Sequence, residues 1–463
     1  MWAPAAAQIE QANLTAFARR AVMRWKLDFN TYPEFYAWSV GQPAQFWESV
    51  WDFCGVIAAE KGERVLVDGD RMPGAKWFPD ARLNFAENML RRRDNSDAFV
   101  FWDENGFRRR MTHASLYDHV SRVAQAMRAE GLSPGDRVAA FIPNLPETAV
   151  FALAAISIGA VWSSCSPDFG ADGVLDRFGQ IGPTLLFCAD GYLYNGKTHD
   201  STVRVREIAA RLPQLRRVVV VQNVGGTRAD PEIARAVNYE DWIAPFPPQP
   251  LDFAQLPFDH PLYILFTSGT TGKPKCIVHG AGGALLAGIK TYKLQYDVKP
   301  LDRFFYYTTC NWVMWNLLFH GLLAEASVML YDGSPFMRDA NILFDYCDAE
   351  RFTQFGTSAK FIDAIAKRGM QPLPIVDRFQ EFADAFASMG QIAIFVAEHF
   401  FILQRLHERF AGRVVPRVAL ARHADFNAVG FEQIPVIVAG VLRAAVGMMH
   451  QAGLDCATRQ RHA

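Results

Sequence analysis

The sequence lacks paired or clustered cysteines, and this absence bounds its chemistry and its surroundings. Its seven cysteines include no CxxC pair and no cluster spaced with histidines, which argues against a zinc site and against a disulfide framework. Scattered cysteines of this kind are typical of a reducing compartment, and we therefore expect a cytoplasmic protein. They are Cys54, Cys165, Cys188, Cys276, Cys310, Cys347 and Cys456.

An excess of charge and a long apolar run are missing as well. The 47 basic and 48 acidic residues leave a net charge of -1, which gives no general attraction to nucleic acid or to an anionic membrane. The longest apolar runs, such as residues 434–442, fall short of the roughly 18 residues that a membrane helix needs. Residues 1–20 lack a basic segment followed by an apolar core, so we expect no signal peptide. These features predict a soluble protein without nucleic acid partners.

Short apolar runs that alternate with helical patterns indicate the fold class. Runs at 137–142 and 160–164 read as strands, and the helical pattern over 147–159 joins them into a βαβ unit. A helix around 173–180 and a strand-like run at 217–221 extend the alternation. We therefore predict an α/β fold with mostly parallel sheets that helices cover on both faces. A chain of 463 residues is long enough for two or more such domains.

One stretch has the composition of a phosphate-binding loop. A strand-like run at 262–266 breaks into Thr-Ser-Gly-Thr-Thr-Gly-Lys-Pro-Lys, and hydroxyls, flexible glycine backbone and lysines all suit an anion. The spacing excludes the Walker A pattern, because Thr267 and Pro274 occupy the places of its first glycine and last hydroxyl residue. A strand-like run, 276–279, follows where a Walker loop would open into a helix. The alternative is a surface turn between two strands.

This loop resembles the signature loop of the adenylate-forming acyl-CoA synthetases, luciferases and peptide-synthetase adenylation domains. The resemblance implies ATP, Mg²⁺ and coenzyme A as ligands, with the loop holding the β- and γ-phosphates of ATP. The residues it assigns to this role are Thr267, Ser268, Gly269, Thr270, Thr271, Gly272, Lys273 and Lys275.

Three further segments resemble the acetoacetyl-CoA synthetases within this family. Residues 161–170 read Val-Trp-Ser-Ser-Cys-Ser-Pro-Asp-Phe-Gly, residues 303–316 contain Trp-Val-Met-Trp-Asn, and residues 355–360 read Phe-Gly-Thr-Ser-Ala-Lys. Cys310, Asn311 and Val313 depart from the subfamily pattern. The resemblance implies acetoacetate as the acid and assigns an acyl pocket to Trp312, Met314, Trp315, Gly356 and Thr357.

Each of these assignments has a structural alternative. Trp312 and Trp315 could be core residues, because aromatic residues at helical spacing usually are. The segment 352–360 could be a plain turn from a strand into a helix that Ser358 caps. Arg177 matches an arginine that related synthetases use near the CoA phosphates, and the alternative is a surface salt bridge.

The resemblance also divides the chain. We expect a helical extension at 1–62 that packs on the main body, a partial adenylate-forming domain at 63–374, and an atypical helical tail at 375–463 with a helical stretch over 379–410. The family's adenine, ribose and closing-lysine motifs are not found after Pro374, so the sequence assigns no catalytic residue and no metal ligand. The tail is either the out-of-frame or fused end of a truncated synthetase or a helical module with its own partner.

The sequence thus predicts an acid–thiol ligase that joins acetoacetate to coenzyme A at the expense of ATP. Two alternatives stay open at this point. One is a ligase for another short-chain acid, and the other is a non-catalytic remnant that keeps nucleotide affinity or serves as an interaction surface. The sequence indicates no oligomeric state.

Overall fold

The computed structural model describes residues 5–29, 31–225, 230–267 and 272–368. The predicted helical tail at 375–463 lies outside the described residues, as do Ser268, Gly269, Thr270 and Thr271 of the predicted phosphate loop. Every described residue belongs to one unit of the chain, Met1–Ala397.

Helices and strands alternate through most of the described chain. The helices are α1 Ala6–Gln11, α2 Asn13–Trp25, α3 Tyr32–Gly41, α4 Pro43–Cys54, α5 Phe85–Met89, α6 His113–Ala129, α7 Pro146–Ser157, α8 Ala171–Ile181, α9 Thr202–Ala210, α10 Tyr239–Ile243, α11 Ala281–Lys290, α12 Val313–Phe319, α13 Ile342–Glu350 and α14 Ala359–Lys367. A π-helical turn covers Thr291–Gln295, and a 3₁₀-helix covers His320–Ala324. No helix among the described residues combines the length and the apolarity needed to cross a bilayer.

The strands are short, as expected for buried parallel sheets. They are β1 Leu66–Val67, β2 Lys76–Trp77, β3 Arg82–Leu83, β4 Asp97–Asp103, β5 Gly106–Thr112, β6 Arg137–Phe141, β7 Val161–Cys165, β8 Leu185–Ala189, β9 Gly191–Tyr194, β10 Lys197–Asp200, β11 Arg217–Val221, β12 Ala236–Asn238, β13 Leu256–Pro257, β14 Pro261–Phe266, β15 Cys276–Gly280, β16 Arg303–Tyr306, β17 Ser327–Asp332 and β18 Gln354–Gly356.

Two mostly parallel sheets form the centre of the fold. The first has the order β12-β11-β8-β6-β7-β14-β15, and only β15 at its edge runs antiparallel to its neighbour. The second has the order β18-β16-β17-β4-β5, and again only the edge strand β5 is antiparallel. Every residue of β7 and β8 is buried, because helices cover both faces. The predicted α/β class with mostly parallel sheets is confirmed.

The carboxyl ends of the two sheets meet. Ser164, near the end of β7, donates a hydrogen bond of 2.6 Å to the carbonyl of Cys310 in the segment after β16. Asn144, just after β6, donates its backbone N–H to Asp332 at the end of β17. Ligands of parallel sheets bind at carboxyl ends, so this junction is where a site is expected.

Local sequence explains where several helices begin. Helix α6 starts at His113 because Thr112 caps it, accepting a hydrogen bond from the Ser115 N–H. Ser358 caps α14 in the same way through the Phe361 N–H, as the sequence suggested.

The N-terminal helices pack on the main body. The Phe17 ring contacts those of Phe35, Phe46 and Phe53 edge to face, with centroids 5.4 to 6.0 Å apart. Asn13 donates its backbone N–H to the Asp297 carboxylate, just after the π-helical turn, at 2.7 Å. These aromatic residues join the same apolar core as the strands of the first sheet.

Candidate functional site

The predicted phosphate loop connects β14 to β15 at the junction of the sheets. Two hydrogen bonds of 3.0 Å close its neck: Thr267 donates its N–H to the Lys275 carbonyl, and the Lys275 N–H donates to the Thr267 hydroxyl. Gly272 has a φ of 148°, a conformation that favours glycine. β14 and β15 thus pair as an antiparallel hairpin, and the strand predicted after the loop is present.

Helix α8 lies beside the described end of this loop and contacts it through the side chains of Asp176 and Gln180. Lys273 is largely exposed, and its ammonium lies 3.6 Å from the Asp176 carboxylate. Gln180 donates its side-chain amide to the Pro274 carbonyl at 2.8 Å. An anion at the loop would therefore find Lys273 held only by a weak surface ion pair.

Arg177 lies on the same helix, where its guanidinium covers two aromatic rings. It is 4.6 Å from the Phe169 ring centroid and 6.0 Å from that of Phe266, the last residue of β14. Its Nη1 donates to the Gly173 carbonyl at 2.6 Å. The structure therefore places Arg177 next to the strand that carries the loop, on an aromatic support.

A cavity of about 320 Å³ opens between the hairpin and the second sheet. This volume is at the small end of the range for ligand sites. Its walls are mainly apolar and aromatic, with a few polar groups. They consist of Tyr263, His279, Gly283, Ala284, Ala287, Gly288, Thr291, Tyr292, Tyr296, Phe304, Tyr306, Val313, Met314, Leu317, His320, Gln354, Phe355, Gly356 and Thr357.

The cavity and the loop share the same hairpin. Tyr263 on β14 pairs with His279 on β15, and their rings are 4.9 Å apart at the cavity wall. Thr267 follows Tyr263 by four residues, which corresponds to about 13 Å along a strand. A small acid in the cavity and a nucleotide phosphate at the loop would therefore be neighbours.

The structure brings only part of the predicted acyl pocket to this cavity. Met314, Gly356 and Thr357 line it, whereas Trp312 and Trp315 do not. Trp312 is 45% exposed and precedes α12 as its N-cap. Trp315 is fully buried, in keeping with the alternative that it is a core residue.

Trp315 ties the two sheets together. Its indole N–H donates to the Asn144 side-chain oxygen at 2.9 Å, and the Asn144 amide donates to the Tyr331 carbonyl on β17 at 3.2 Å. Its ring stacks with that of Trp162 on β7 at 6.1 Å. Trp315 thus supports the cavity wall from behind, one residue after Met314.

Asp332 adds an acid to this junction. It accepts the Asn144 backbone N–H at 3.1 Å. Burial, together with the nearby Asp103, Glu104 and Asp168 carboxylates, raises the pKa of Asp332 to about 7. Its protonation therefore changes within the neutral pH range.

Two polar side chains of the cavity wall have no hydrogen-bond partner among the described residues. These are the His320 imidazole, at both ring nitrogens, and the Thr357 hydroxyl. Both residues are buried, and unpaired buried polar groups are rare in folded proteins. Sequence reasoning did not single out His320. The signal available was its position as a lone polar residue after the apolar run Leu317, Leu318 and Phe319.

Across the described ranges, no group of three or more His, Cys, Asp or Glu side chains could hold a metal ion. A Mg²⁺ that arrives with a nucleotide is usually held by one or two protein ligands and by phosphate oxygens. The Thr267 hydroxyl, at the neck of the loop, is an oxygen ligand of suitable kind.

Comparison with known proteins identifies the family. The family model "AMP-binding enzyme" matches residues 85–413, and "Acetyl-coenzyme A synthetase N-terminus" matches residues 32–89. An acetoacetyl-coenzyme A synthetase of Rhizobium meliloti (strain 1021) is 50% identical over 373 residues, which cover 80% of this chain and 57% of the relative. A malonamoyl-CoA synthetase of Penicillium aethiopicum is 37% identical over 386 residues, covering 78% of this chain and 53% of the relative.

A solved structure gives the same answer. The acetoacetyl-CoA synthetase from Streptomyces lividans matches with a TM-score of 0.76 at 40% identity, over 81% of this chain and 57% of that one. The chain thus spans somewhat more than half the length of these relatives. Because the first family model covers most of the sequence, the chain belongs to the AMP-binding enzyme family, as its loop predicted.

Proposed function

We propose that this protein is an acetoacetate–CoA ligase. The observation that carries the proposal is the shared hairpin: one end of β14 and β15 bears the phosphate loop, and their middle forms a wall of the small cavity. An adenylating enzyme needs an acid and the phosphates of ATP side by side. The acetoacetyl-CoA synthetases among the relatives suggest which acid it is.

In this proposal the loop binds ATP, which enters as its magnesium complex. Hydroxyls, backbone N–H groups and two lysines surround the β- and γ-phosphates, where negative charge builds up as pyrophosphate leaves. The residues assigned to this role are Thr267, Ser268, Gly269, Thr270, Thr271, Gly272, Lys273 and Lys275. Lys273 exchanges its weak contact with Asp176 for a phosphate.

The acid occupies the cavity, with Met314, Gly356 and Thr357 in its wall. One carboxylate oxygen attacks the α-phosphorus of ATP, and the bond from that phosphorus to the bridging oxygen breaks. Pyrophosphate leaves, and the acid remains as an acyl-adenylate. The chain's own contribution to this step is to position the acid and to stabilise the departing charge.

Coenzyme A completes the reaction. Its thiolate attacks the acyl carbon, the mixed anhydride bond breaks, and AMP leaves. We assign Arg177 to the CoA phosphates, because its half-buried guanidinium is held on aromatic rings with N–H donors to spare. Both steps use substrates of the cytoplasm, where we place the protein.

A ligase for a related short-chain acid is the second candidate. The malonamoyl-CoA synthetase among the relatives favours it, since malonamate has the same size as acetoacetate and an amide where acetoacetate has a methyl ketone. The two candidates differ in the acid and share the site.

Exchange of labelled pyrophosphate into ATP, with acetoacetate, malonamate or no acid, tests the proposal. We expect acetoacetate-dependent exchange, and Lys273→Ala should reduce it about tenfold or more, the loss of one charge-assisted contact. Lys367→Ala is the matched control, because Lys367 is a similarly exposed lysine paired with a surface carboxylate, Asp363. If the folded wild-type chain shows no pyrophosphate exchange with either acid, the result would favour a non-catalytic role instead.

A further inference from the structure

His320 is a buried histidine with no hydrogen-bond partner among the described residues. Only 1% of its surface is exposed, and it forms part of the cavity wall. Both ring nitrogens are buried and unpaired. A buried polar group without a hydrogen-bond partner lowers stability. We therefore expect a ligand bound in the cavity to supply the hydrogen-bond partner of this histidine.

A glycine in helix α11 leaves the space that this ring occupies. Gly288 lies in the last turn of α11, where a Cβ would stand 2.3 Å from the His320 Nδ1 atom. The rings of Phe85 and Tyr292 lie beside the imidazole, with centroids 5.5 and 6.1 Å away. The imidazole is therefore wedged between apolar groups, with the cavity as the place where a polar partner can enter.

The imidazole is neutral in this environment. Burial, with a small contribution from the nearby His279, lowers the pKa of His320 to about 3. A neutral imidazole carries one N–H donor and one acceptor nitrogen. It can therefore donate to a carbonyl oxygen, and it does not offer a full positive charge to a carboxylate.

The two unpaired groups sit at opposite ends of the strands. Thr357 follows the carboxyl end of β18, on the side of the phosphate loop. His320 begins the 3₁₀-helix that leads back to the amino ends of β16 and β17, where Gly321 approaches Phe304 and Val328. Gln354 pairs with Phe304 in the sheet, three residues before Thr357, so the backbone beside Gly321 and the backbone at Thr357 are separated by about 10 Å along the strands.

This separation suits a short acid with two polar ends. Both side chains line the cavity, so an acid with oxygens at two positions along its chain could accept a hydrogen bond from each. An acid with a carbonyl two carbons from its carboxyl group has oxygens at two such positions. Acetoacetate and malonamate both carry that carbonyl, and butyrate, of the same chain length as acetoacetate, lacks it.

We infer that His320 determines specificity: its ring N–H donates a hydrogen bond to the C3 carbonyl of a 3-oxo acid whose carboxylate lies toward Thr357 and the phosphate loop. This inference rests on the proposed function, because it places the acid of that reaction in the cavity. It names the recognised group, the carbonyl at C3, and a residue that selects for it.

The test compares acetoacetate with butyrate in the full 463-residue chain. His320→Phe and His320→Leu remove the donor while they keep a side chain that fills the space, and His320→Gln restores an N–H. We expect kcat/KM of pyrophosphate exchange for acetoacetate to fall about tenfold to hundredfold in the Phe and Leu variants. The value for butyrate should change less than about threefold, and the Gln variant should recover part of the preference.

His113→Leu is the matched control. His113 is equally buried, with an unpaired Nε2 among the described residues, and it lies at the start of α6 and not in the cavity wall. Its substitution should affect stability without changing the ratio of acetoacetate to butyrate. A ratio that stays at the wild-type value in a folded His320→Phe or His320→Leu variant overturns the inference.

Ligand-observed saturation-transfer NMR separates this inference from the proposed function. If the wild-type chain shows no exchange with any acid, the function fails, and the affinities for acetoacetate and butyrate are then compared directly. Preference for acetoacetate in the wild type that His320→Phe or His320→Leu abolishes supports the role of His320. Absence of such a preference in the wild type, including absence of binding by both acids, overturns it.

Discussion

Asp332→Asn should change how the stability of the protein depends on pH. In the folded protein the pKa of Asp332 is about 7, because of burial and three neighbouring carboxylates, against an ordinary value of 3.8. Between about pH 4 and pH 7 the folded state therefore binds more protons at this site than the unfolded state. Stability contributed by the site is full below pH 4 and is lost as the pH rises through 7.

The size of the effect follows from the difference in pKa. About three pKa units correspond to roughly 4 kcal/mol. Part of this is already lost between pH 4 and pH 5, and roughly 2 to 3 kcal/mol falls between pH 5 and pH 8. Asparagine removes the ionisation and keeps an oxygen that can accept the Asn144 N–H. Relative to wild type, the variant should therefore gain roughly 2 to 3 kcal/mol as the pH rises from 5 to 8.

Urea unfolding at pH 5, 6, 7 and 8 measures this difference, with the change in m-value checked at each pH. Buried histidines such as His113, whose pKa is lowered to about 4, act in the opposite direction, so only the difference between variant and wild type isolates Asp332. Asp252→Asn, which removes a carboxylate that is 94% exposed, controls for net charge. A difference between Asp332→Asn and wild type that is equal at pH 5 and pH 8 would refute the reasoning.

Two further substitutions test the junction and the CoA assignment. Trp315→Phe should lower the free energy of unfolding by about 1 to 3 kcal/mol, because it leaves the buried Asn144 oxygen without its donor. Trp102→Phe is the control in the same unfolding assay, since the Trp102 indole N–H has no partner among the described residues. Arg177→Leu should raise KM for CoA in the complete ligation about tenfold and leave pyrophosphate exchange within about twofold. Arg211→Leu, which removes an exposed arginine bound to Asp172, should leave both KM for CoA and pyrophosphate exchange unchanged, and equal effects of the two arginine variants would contradict the assignment.

The sequence predicted those elements whose signal is local. The strand at 217–221 and the helix at 147–159 were recognisable because apolar periodicity reflects burial on one or both faces. The phosphate-binding role of the loop at 267–275 is a prediction of the same local kind, because phosphate binding demands glycines, hydroxyls and lysines in a contiguous run. Such features need no knowledge of what lies across the sheet.

The membership of the cavity depends on contacts between distant segments, and here the sequence was a weaker guide. Trp312 and Trp315 have helical spacing, but α12 begins at Val313, so Trp312 stays outside as the cap and Trp315 turns toward Asn144, 171 residues away in sequence. Met314, between them, faces the cavity. The starting residue of one short helix therefore decides which side chains of the run 312–315 can touch an acid, and these are Val313 and Met314.

His320 shows the same limit from the other side. In the sequence it is one polar residue after an apolar run, which fits a satisfied core histidine as well as a ligand-binding one. What distinguishes it is the absence of a partner on α11, α5 and the second sheet within the described residues, and that depends on Gly288, 32 positions earlier, leaving space for the ring. A polar group becomes a candidate for recognition when the fold buries it and leaves it unpaired beside a cavity. The acetoacetate-to-butyrate ratio measures whether that cavity supplies the missing partner.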